Sequence, residues 1–251
     1  MFYFFTLFSK KSANNIKKKL SGRWLGQGPA VDKFEEEFRK KFAKKNSVIA
    51  TGSGTDSLHL AYILAGLKEG DEVITTVFTC TATNIPLLYM GIKIKFADVD
   101  RDTMNISTKS IKKLITKKTK AIVCVHYGGL PCEMDELLKI AKKNKLILIE
   151  DAAHALGAKY KKKPVGSLSD FTTFSFQAIK HFTTGDGGIL TIKNKKLDDK
   201  AKRLRWFGID RKGKQKGTWK NDVHEVGYKY QMTDIGATMG LDSLKEFNLI
   251  I

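Results

Sequence analysis

Cysteine is scarce in this sequence: its 251 residues include only Cys80, Cys124 and Cys132. An odd number with no CxxC pair excludes a full disulfide framework, speaks against a structural zinc or other metal site, and suits a reducing cytoplasm. Acidic residues are also in short supply, 26 against 45 lysines and arginines, which leaves a formal net charge of +19. Such an excess raises nucleic acid or an anionic membrane as a partner. The pattern supports neither. There is no RNP-like aromatic strand, no paired Cys-His finger and no long uninterrupted basic tail. The lysines recur instead in short groups such as IKKKL (16–20), KKFAKK (40–45), KKLITKKTK (112–120) and YKKKP (160–164), flanking apolar segments as wet faces do. Long hydrophobic runs are missing too. The opening MFYFFTLF is too short to span a bilayer and has neither a basic region before it nor an A-x-A cleavage site after it, so it reads as an element tucked against the core.

What is present is a chain that is 42% hydrophobic, long enough for a sizeable core, with no internal repeat and no low-complexity linker. Runs rich in β-branched residues at 47–51, 71–76, 92–99, 120–126 and 145–151 end in small or polar groups, as strands do. Between them, segments 54–67, 80–89, 109–116 and 134–144 carry apolar residues at helical spacing. This βαβα rhythm predicts an α/β fold, a mostly parallel central sheet with helices on both faces. After Asp151 the rhythm changes: DFTTFSF (170–176) and GGILTI (187–192) lie close together, and a hairpin-like connection puts Lys180 on the loop between them. Helical pattern returns at 196–207 and 233–247, separated by a glycine- and lysine-rich stretch at 208–219.

Ligands in such sheets gather outside the carboxyl ends of the strands. TGSGTDS (51–57) leaves the Gly54 and Thr55 N–H groups at a helix N-terminus, an anion site by geometry or a plain helix cap; without GK[ST] it is no P-loop. LILIEDAAHALGA drives an apolar strand into Glu150 and Asp151, with His154 after them. A buried carboxylate there requires a cation or donors; a helix cap at Asp151 and an interior His154 are the alternative. Lys180 stands apart from the other lysines because it follows an apolar strand, has Ser175 before it and is followed by Gly185, Gly187 and Gly188. VFTCTATN (77–84) places hydroxyls and small side chains at another strand end, to pack over a flat ring or to start a helix. A phosphate-binding turn, a strand-end aspartate and a lysine preceded by a serine are together what pyridoxal phosphate requires.

WLGQGPAVDKFEEEF, TGSGTDSLHLA, FADVDRDTMNI, TKAIVCVHYGGLPCEMDEL, IEDAAHALGAKYKKKPVGSLSDFTTFSF and KHFTTGDGG, in this order and spacing, resemble the DegT/DnrJ/StrS family of sugar aminotransferases from about Trp24 onward. The resemblance implies the fold type I of pyridoxal phosphate-dependent transferases. It implies Lys180 as the residue that forms an imine with the cofactor and shuttles protons, and Asp151 as the partner of the pyridinium nitrogen. It implies His154 at the ring hydroxyl and Gly54, Thr55 and Ser175 at the phosphate. It also implies a homodimer with active sites at its interface, and transfer of an amino group from glutamate to a keto group of a nucleotide-linked deoxysugar.

Three positions depart from the family pattern. Cys80 stands where many relatives place an aromatic ring over the cofactor. Lys229, in GYKYQMTD, stands where many use an asparagine that reaches the partner subunit's phosphate. The chain also stops roughly a hundred residues before family members usually end. The resemblance therefore implies a large cofactor-binding domain over residues 1–240, with an N-terminal segment at 1–30, and only the start of a small C-terminal domain at 241–251. The chain then reads as a fragment, with an inactive cofactor-binding remnant as the alternative to an aminotransferase. A related dehydratase branch replaces the imine-forming lysine with histidine; here Lys180 is retained beside His181.

Overall fold

The computed structural model describes residues 10–211 and 223–250. The apolar opening and most of the stretch at 208–219 lie outside the described residues. In chain order the elements are α1 (Lys10–Leu20), α2 (Pro29–Phe38), β1 (Ser47–Thr51), α3 (Gly54–Leu64), β2 (Glu72–Thr75), α4 (Thr81–Tyr89), β3 (Lys93–Phe96), α5 (Thr108–Leu114) and β4 (Thr119–Val125). They continue with α6 (Met134–Asn144), β5 (Ile147–Asp151), the short pair β6 (Lys159–Tyr160) and β7 (Lys163–Pro164), β8 (Phe171–Ser175), β9 (Gly188–Ile192), α7 (Asp198–Leu204), α8 (Asp234–Lys245) and α9 (Phe247–Ile250).

Seven strands form the central sheet in the order β1-β9-β8-β5-β4-β2-β3. The pairs β2–β3, β2–β4, β4–β5 and β5–β8 are parallel, while β9 runs antiparallel to both β8 and β1. Six strands therefore point the same way, and their carboxyl ends share one rim. The expected mostly parallel α/β sheet is observed, and the β8–β9 connection carries Lys180 as the sequence predicts.

The period-two pleat decides which side chains face which layer. Phe174 of β8 and Phe176 just after it enter a cluster with Phe34, Phe38 and Phe42, beneath α2 and α8, while Phe171 enters the opposite cluster with Leu58, Leu60 and Ala61 of α3. In β5, Ile149 faces the α3 side and Leu148 packs with Met134, Leu137 and Ile140 of α6. By the same alternation, Asp151 belongs to the α3 side and Glu150 to the other.

Two helices escape the periodicity argument. Helix α1 is built largely of lysine and asparagine, and α2 presents a narrow apolar stripe of Val31, Phe34 and Phe38 between acidic residues. Tertiary contacts hold them. The buried Asp234 carboxylate at the start of α8 accepts from the N–H groups of Gly28, Ala30 and Val31 at the start of α2, and pairs with Lys19 of α1 at 2.7 Å. The strand expected at 92–99 is shorter than its apolar run, because Asp100 folds the chain into a turn, its carboxylate accepting from the N–H groups of Asp102 and Thr103.

Candidate active site

The rim of the sheet brings Gly54, Thr55, Asp151, His154, Ser175 and Lys180 to one region. Thr51, Gly188 and Ser175 lie side by side in register across β1, β9 and β8, so the turn after β1 abuts the end of β8. Ser53 caps α3, its hydroxyl accepting from the Asp56 N–H at 3.0 Å. The first-turn N–H groups of Gly54 and Thr55 have no partner within the helix, and the turn is half-open to solvent. A methyl group on Gly54 would sit 2.8 Å from Ser175 Cβ. Glycine is thus required there to bring the Ser175 hydroxyl against the helix N-terminus, a cradle of N–H and O–H donors for an anion.

Gly188 is held more tightly. A Cβ there would lie 2.4 Å from the Ser53 carbonyl oxygen and 2.8 Å from Gly54 N, both backbone atoms. We expect Gly188→Ala to push the Ser53–Thr55 turn off the sheet and to destabilise the fold by about 1–3 kcal/mol. The loss should appear in denaturant unfolding together with weakened binding of a phosphate-bearing ligand. Asp56, just inside the helix, has its carboxyl pushed up to about 6, first by burial, which the Ser53 hydrogen bond opposes, and further by the charge of Asp186.

At the end of β5, the two neighbouring carboxylates have different fates. Glu150 is fully buried and saturated. It accepts from Ser169 N, Ser169 Oγ and Thr172 Oγ1 on one oxygen and meets His126 Nε2 at 2.8 Å on the other. Burial pushes this carboxyl up, and His126 with the hydroxyls more than offsets that, leaving it below the ordinary glutamate value. Asp151 is also buried, yet its oxygens receive only the Thr83 hydroxyl, at 2.6 Å, and the Ala153 N–H, at 3.1 Å. Among the described residues no cation pairs with it. Asp151 thus keeps acceptor capacity at the bottom of the site, which a protonated ring nitrogen fits.

Lys180 sits on a loop fixed at both ends. Phe176 N donates to Gly187 O and Thr184 N to Phe176 O, while the Phe182 ring packs 5.0 Å from Phe176. The loop is tied across to the β5 side by His181 Nε2, 3.2 Å from Leu156 O. Lys180 is half-buried and in no ion pair among the described residues. Its charge reaches His154, whose pKa is held below the ordinary value by partial burial first and by Lys180 next. A lysine and a carboxylate thus both lie within electrostatic reach of one imidazole.

The remaining predicted positions are placed differently. Cys80 is exposed and precedes the first turn of α4, the helix that carries Thr83. Lys229 is exposed with its ammonium 4.8 Å from the Trp206 ring centre, not at its own chain's Gly54–Thr55 turn. Its neighbour Tyr230 does border that turn, accepting from Gly52 N at 2.8 Å. Sequence reasoning singled out the 77–84 run without choosing Thr79 or Thr83 within it, and missed Tyr127. The Tyr127 ring lies 4.5 Å from Phe78 and 6.4 Å from His154, an aromatic wall beside the site. The hydroxyl-rich TCTAT run was the available signal for the threonines. Away from the site, Cys124, His126 and Cys132 come within 4.8 Å of one another, all buried. Both imidazole nitrogens are already engaged, Nε2 by Glu150 and Nδ1 by the Cys132 N–H at 3.1 Å, so the group serves as a hydrogen-bonded node.

Comparison with known proteins agrees with this fold. The model of the DegT/DnrJ/EryC1/StrS aminotransferase family matches residues 7–251. The chain is 44% identical over 245 residues to protein MJ1066 of Methanocaldococcus jannaschii, covering 96% of this chain and 63% of that one. It is 38% identical over 240 residues to GDP-perosamine synthase of Escherichia coli O157:H7, covering 94% and 63%. The PLP-form structure of a chain assigned as a sugar aminotransferase in Streptococcus pneumoniae superposes with a TM-score of 0.91 at 28% identity, covering 97% of this chain and 66% of that one. The chain spans less than two thirds of the length of these curated relatives. With a family model matched over nearly the whole sequence and a relative 44% identical, the chain belongs to the DegT/DnrJ/EryC1/StrS aminotransferase family.

Proposed function

We propose that this chain is the cofactor-binding domain of a pyridoxal phosphate-dependent aminotransferase, which moves an amino group from glutamate to a keto group of a nucleotide-linked deoxysugar. The observation that carries the reading is Asp151, buried at a strand end with acceptor capacity to spare, within electrostatic reach of the same imidazole as Lys180. When bound, the cofactor supplies an electron sink that makes a proton on the amino-bearing carbon removable.

The protein's own residues supply the rest. The Gly54–Thr55 turn and Ser175 hold the phosphate, and Asp151 favours the protonated ring nitrogen by charge. His154 would contact the ring hydroxyl. Lys180, half-buried and in no ion pair among the described residues, is the base and nucleophile of the site. Phe78 and Tyr127 wall the space and exclude water from one side.

In this reading two copies work together. Tyr89, Tyr228 and Tyr230 pack around the buried His59 ring, beside the exposed Leu88. This surface suits burial against a second copy, to whose phosphate Lys229 would bring a point charge, and Cys80 would border the cofactor. Residues 1–240 then form the large domain and 241–251 begin a small one. The cytoplasm is the expected compartment; no helix among the described residues is long and apolar enough to cross a membrane.

The test is reconstitution. Purified protein mixed with pyridoxal phosphate should develop a visible band that the free cofactor lacks, and glutamate should convert it to the pyridoxamine form. Absence of the band would overturn the cofactor assignment. A band that glutamate leaves unchanged would reduce the chain to a cofactor-binding remnant. Relatives such as GDP-perosamine synthase, by its name, make a GDP-linked amino sugar, so GDP- and UDP-linked 4-keto sugars are the acceptors to try first.

A further inference from the structure

We infer that Thr79 and Thr83 form a directed hydroxyl relay that positions the Asp151 carboxylate for the ring nitrogen, making Thr83 a positioning residue of this site; the inference rests on the cofactor reading above. Thr83 Oγ1 lies 2.6 Å from Asp151 Oδ2, and Thr79 Oγ1 lies 2.7 Å from Thr83 Oγ1. An ionised carboxylate can only accept. Thr83 therefore donates to Asp151, its hydroxyl is left to accept, and Thr79 is the donor. The direction of both protons follows from one charge.

The relay is rigidly mounted. Thr83 is fully buried in the first turn of α4, its N–H donates to Cys80 O at 3.1 Å, and its carbonyl accepts from the Tyr62 hydroxyl at 2.7 Å. Tyr62 is itself wholly buried. A β-branched residue in a helix has one or two rotamers for its hydroxyl, so Oγ1 is aimed before any ligand arrives. The Ala153 N–H holds the other oxygen of Asp151. Two fixed donors, one on each oxygen, set the plane of the carboxylate. They leave its remaining lone pairs directed into the site. A charge-assisted O–H···O⁻ bond of this length is among the stronger hydrogen bonds in proteins.

The relay also explains why Asp151, unlike Glu150, is satisfied without saturation. Four contacts close off Glu150 from any ligand; Asp151 has just enough to be ordered.

The experiment compares wild type, Thr83→Val and Thr83→Ser by titrating each with pyridoxal phosphate and with 1-deazapyridoxal phosphate, in which carbon replaces the ring nitrogen. Wild type should show the visible band. Thr83→Val should bind pyridoxal phosphate roughly 10- to 100-fold more weakly, the factor that loss of a hydrogen bond to a buried charged group entails, and the pH dependence of its band should shift. Thr83→Ser should restore binding to within about threefold. The deaza compound should bind wild type and Thr83→Val alike, because it offers Asp151 no nitrogen. If wild type binds and Thr83→Val matches it, the relay is overturned while the cofactor reading stands. Equal weakening towards both compounds would mean a packing defect and would also overturn the relay. If wild type shows no band, the cofactor reading falls and takes the relay with it.

Discussion

Lys180→Ala is expected to abolish the visible band of the reconstituted protein and to lower transfer of the amino group by about a thousandfold or more. The magnitude follows from the two roles that converge on one side chain. Loss of a positioned general base alone is worth about 10²–10⁴-fold, and loss of the covalent attachment adds to it. The substitution should leave the fold alone. Lys180 is half-buried, forms no ion pair among the described residues, and lies on a loop held by Phe176, Phe182 and Thr184. A change in unfolding free energy within about 0.5 kcal/mol is therefore expected. Spectral titration and denaturant unfolding of the same preparation separate the effects. A band that survives in Lys180→Ala would move the chemistry to another lysine.

Arg205→Ala should have the largest effect on stability, about 3–5 kcal/mol, without touching any residue of the candidate site. Arg205, immediately after α7, is buried; its Nη1 donates to Glu35 of α2 and to Ala50 O of β1. Glu35 Oε1 in turn accepts from Ala50 N at 2.8 Å. One ion pair thus fastens both polar groups of a single residue in an edge strand. Removing the arginine leaves the Glu35 carboxylate buried beside a carbonyl with no donor, which is why breaking such a pair costs more than the pair contributes. A double replacement, Glu35→Met with Arg205→Met, should recover most of the loss. Urea denaturation of the three variants checks this, and a loss below about 1 kcal/mol in Arg205→Ala would show that water reaches the pair.

The placement of the candidate residues was legible in the sequence wherever it depends on a residue and its near neighbours. Lys180, with Ser175 before it and glycines after it, and Asp151 at the end of an apolar run could both be found without coordinates. Pairings across long separations were not legible. The sequence shows that Glu150 needs a partner but not that His126, 24 residues earlier, supplies it. Thr83 lies 68 residues from Asp151, and on sequence grounds it could equally have started a helix or packed over a ring; it does the first and also binds the aspartate. Helices α1 and α2 escaped because a single buried carboxylate, Asp234, organises their ends from more than two hundred residues away. The lysine excess, by contrast, was a statement about surface and said little about the site.

The edge position of β1 also constrains the order of folding. Its one partner in the sheet is β9, some 140 residues later, with every residue of Ser47–Thr51 matched to Gly188–Ile192. Closing so long a loop costs entropy before any contact repays it. The turn at Ser53–Thr55 therefore cannot reach its final place on a ribosome-bound chain until residues beyond Ile192 have emerged. On the proposed function, the turn that would hold the phosphate takes its place only once the last sheet strand is in.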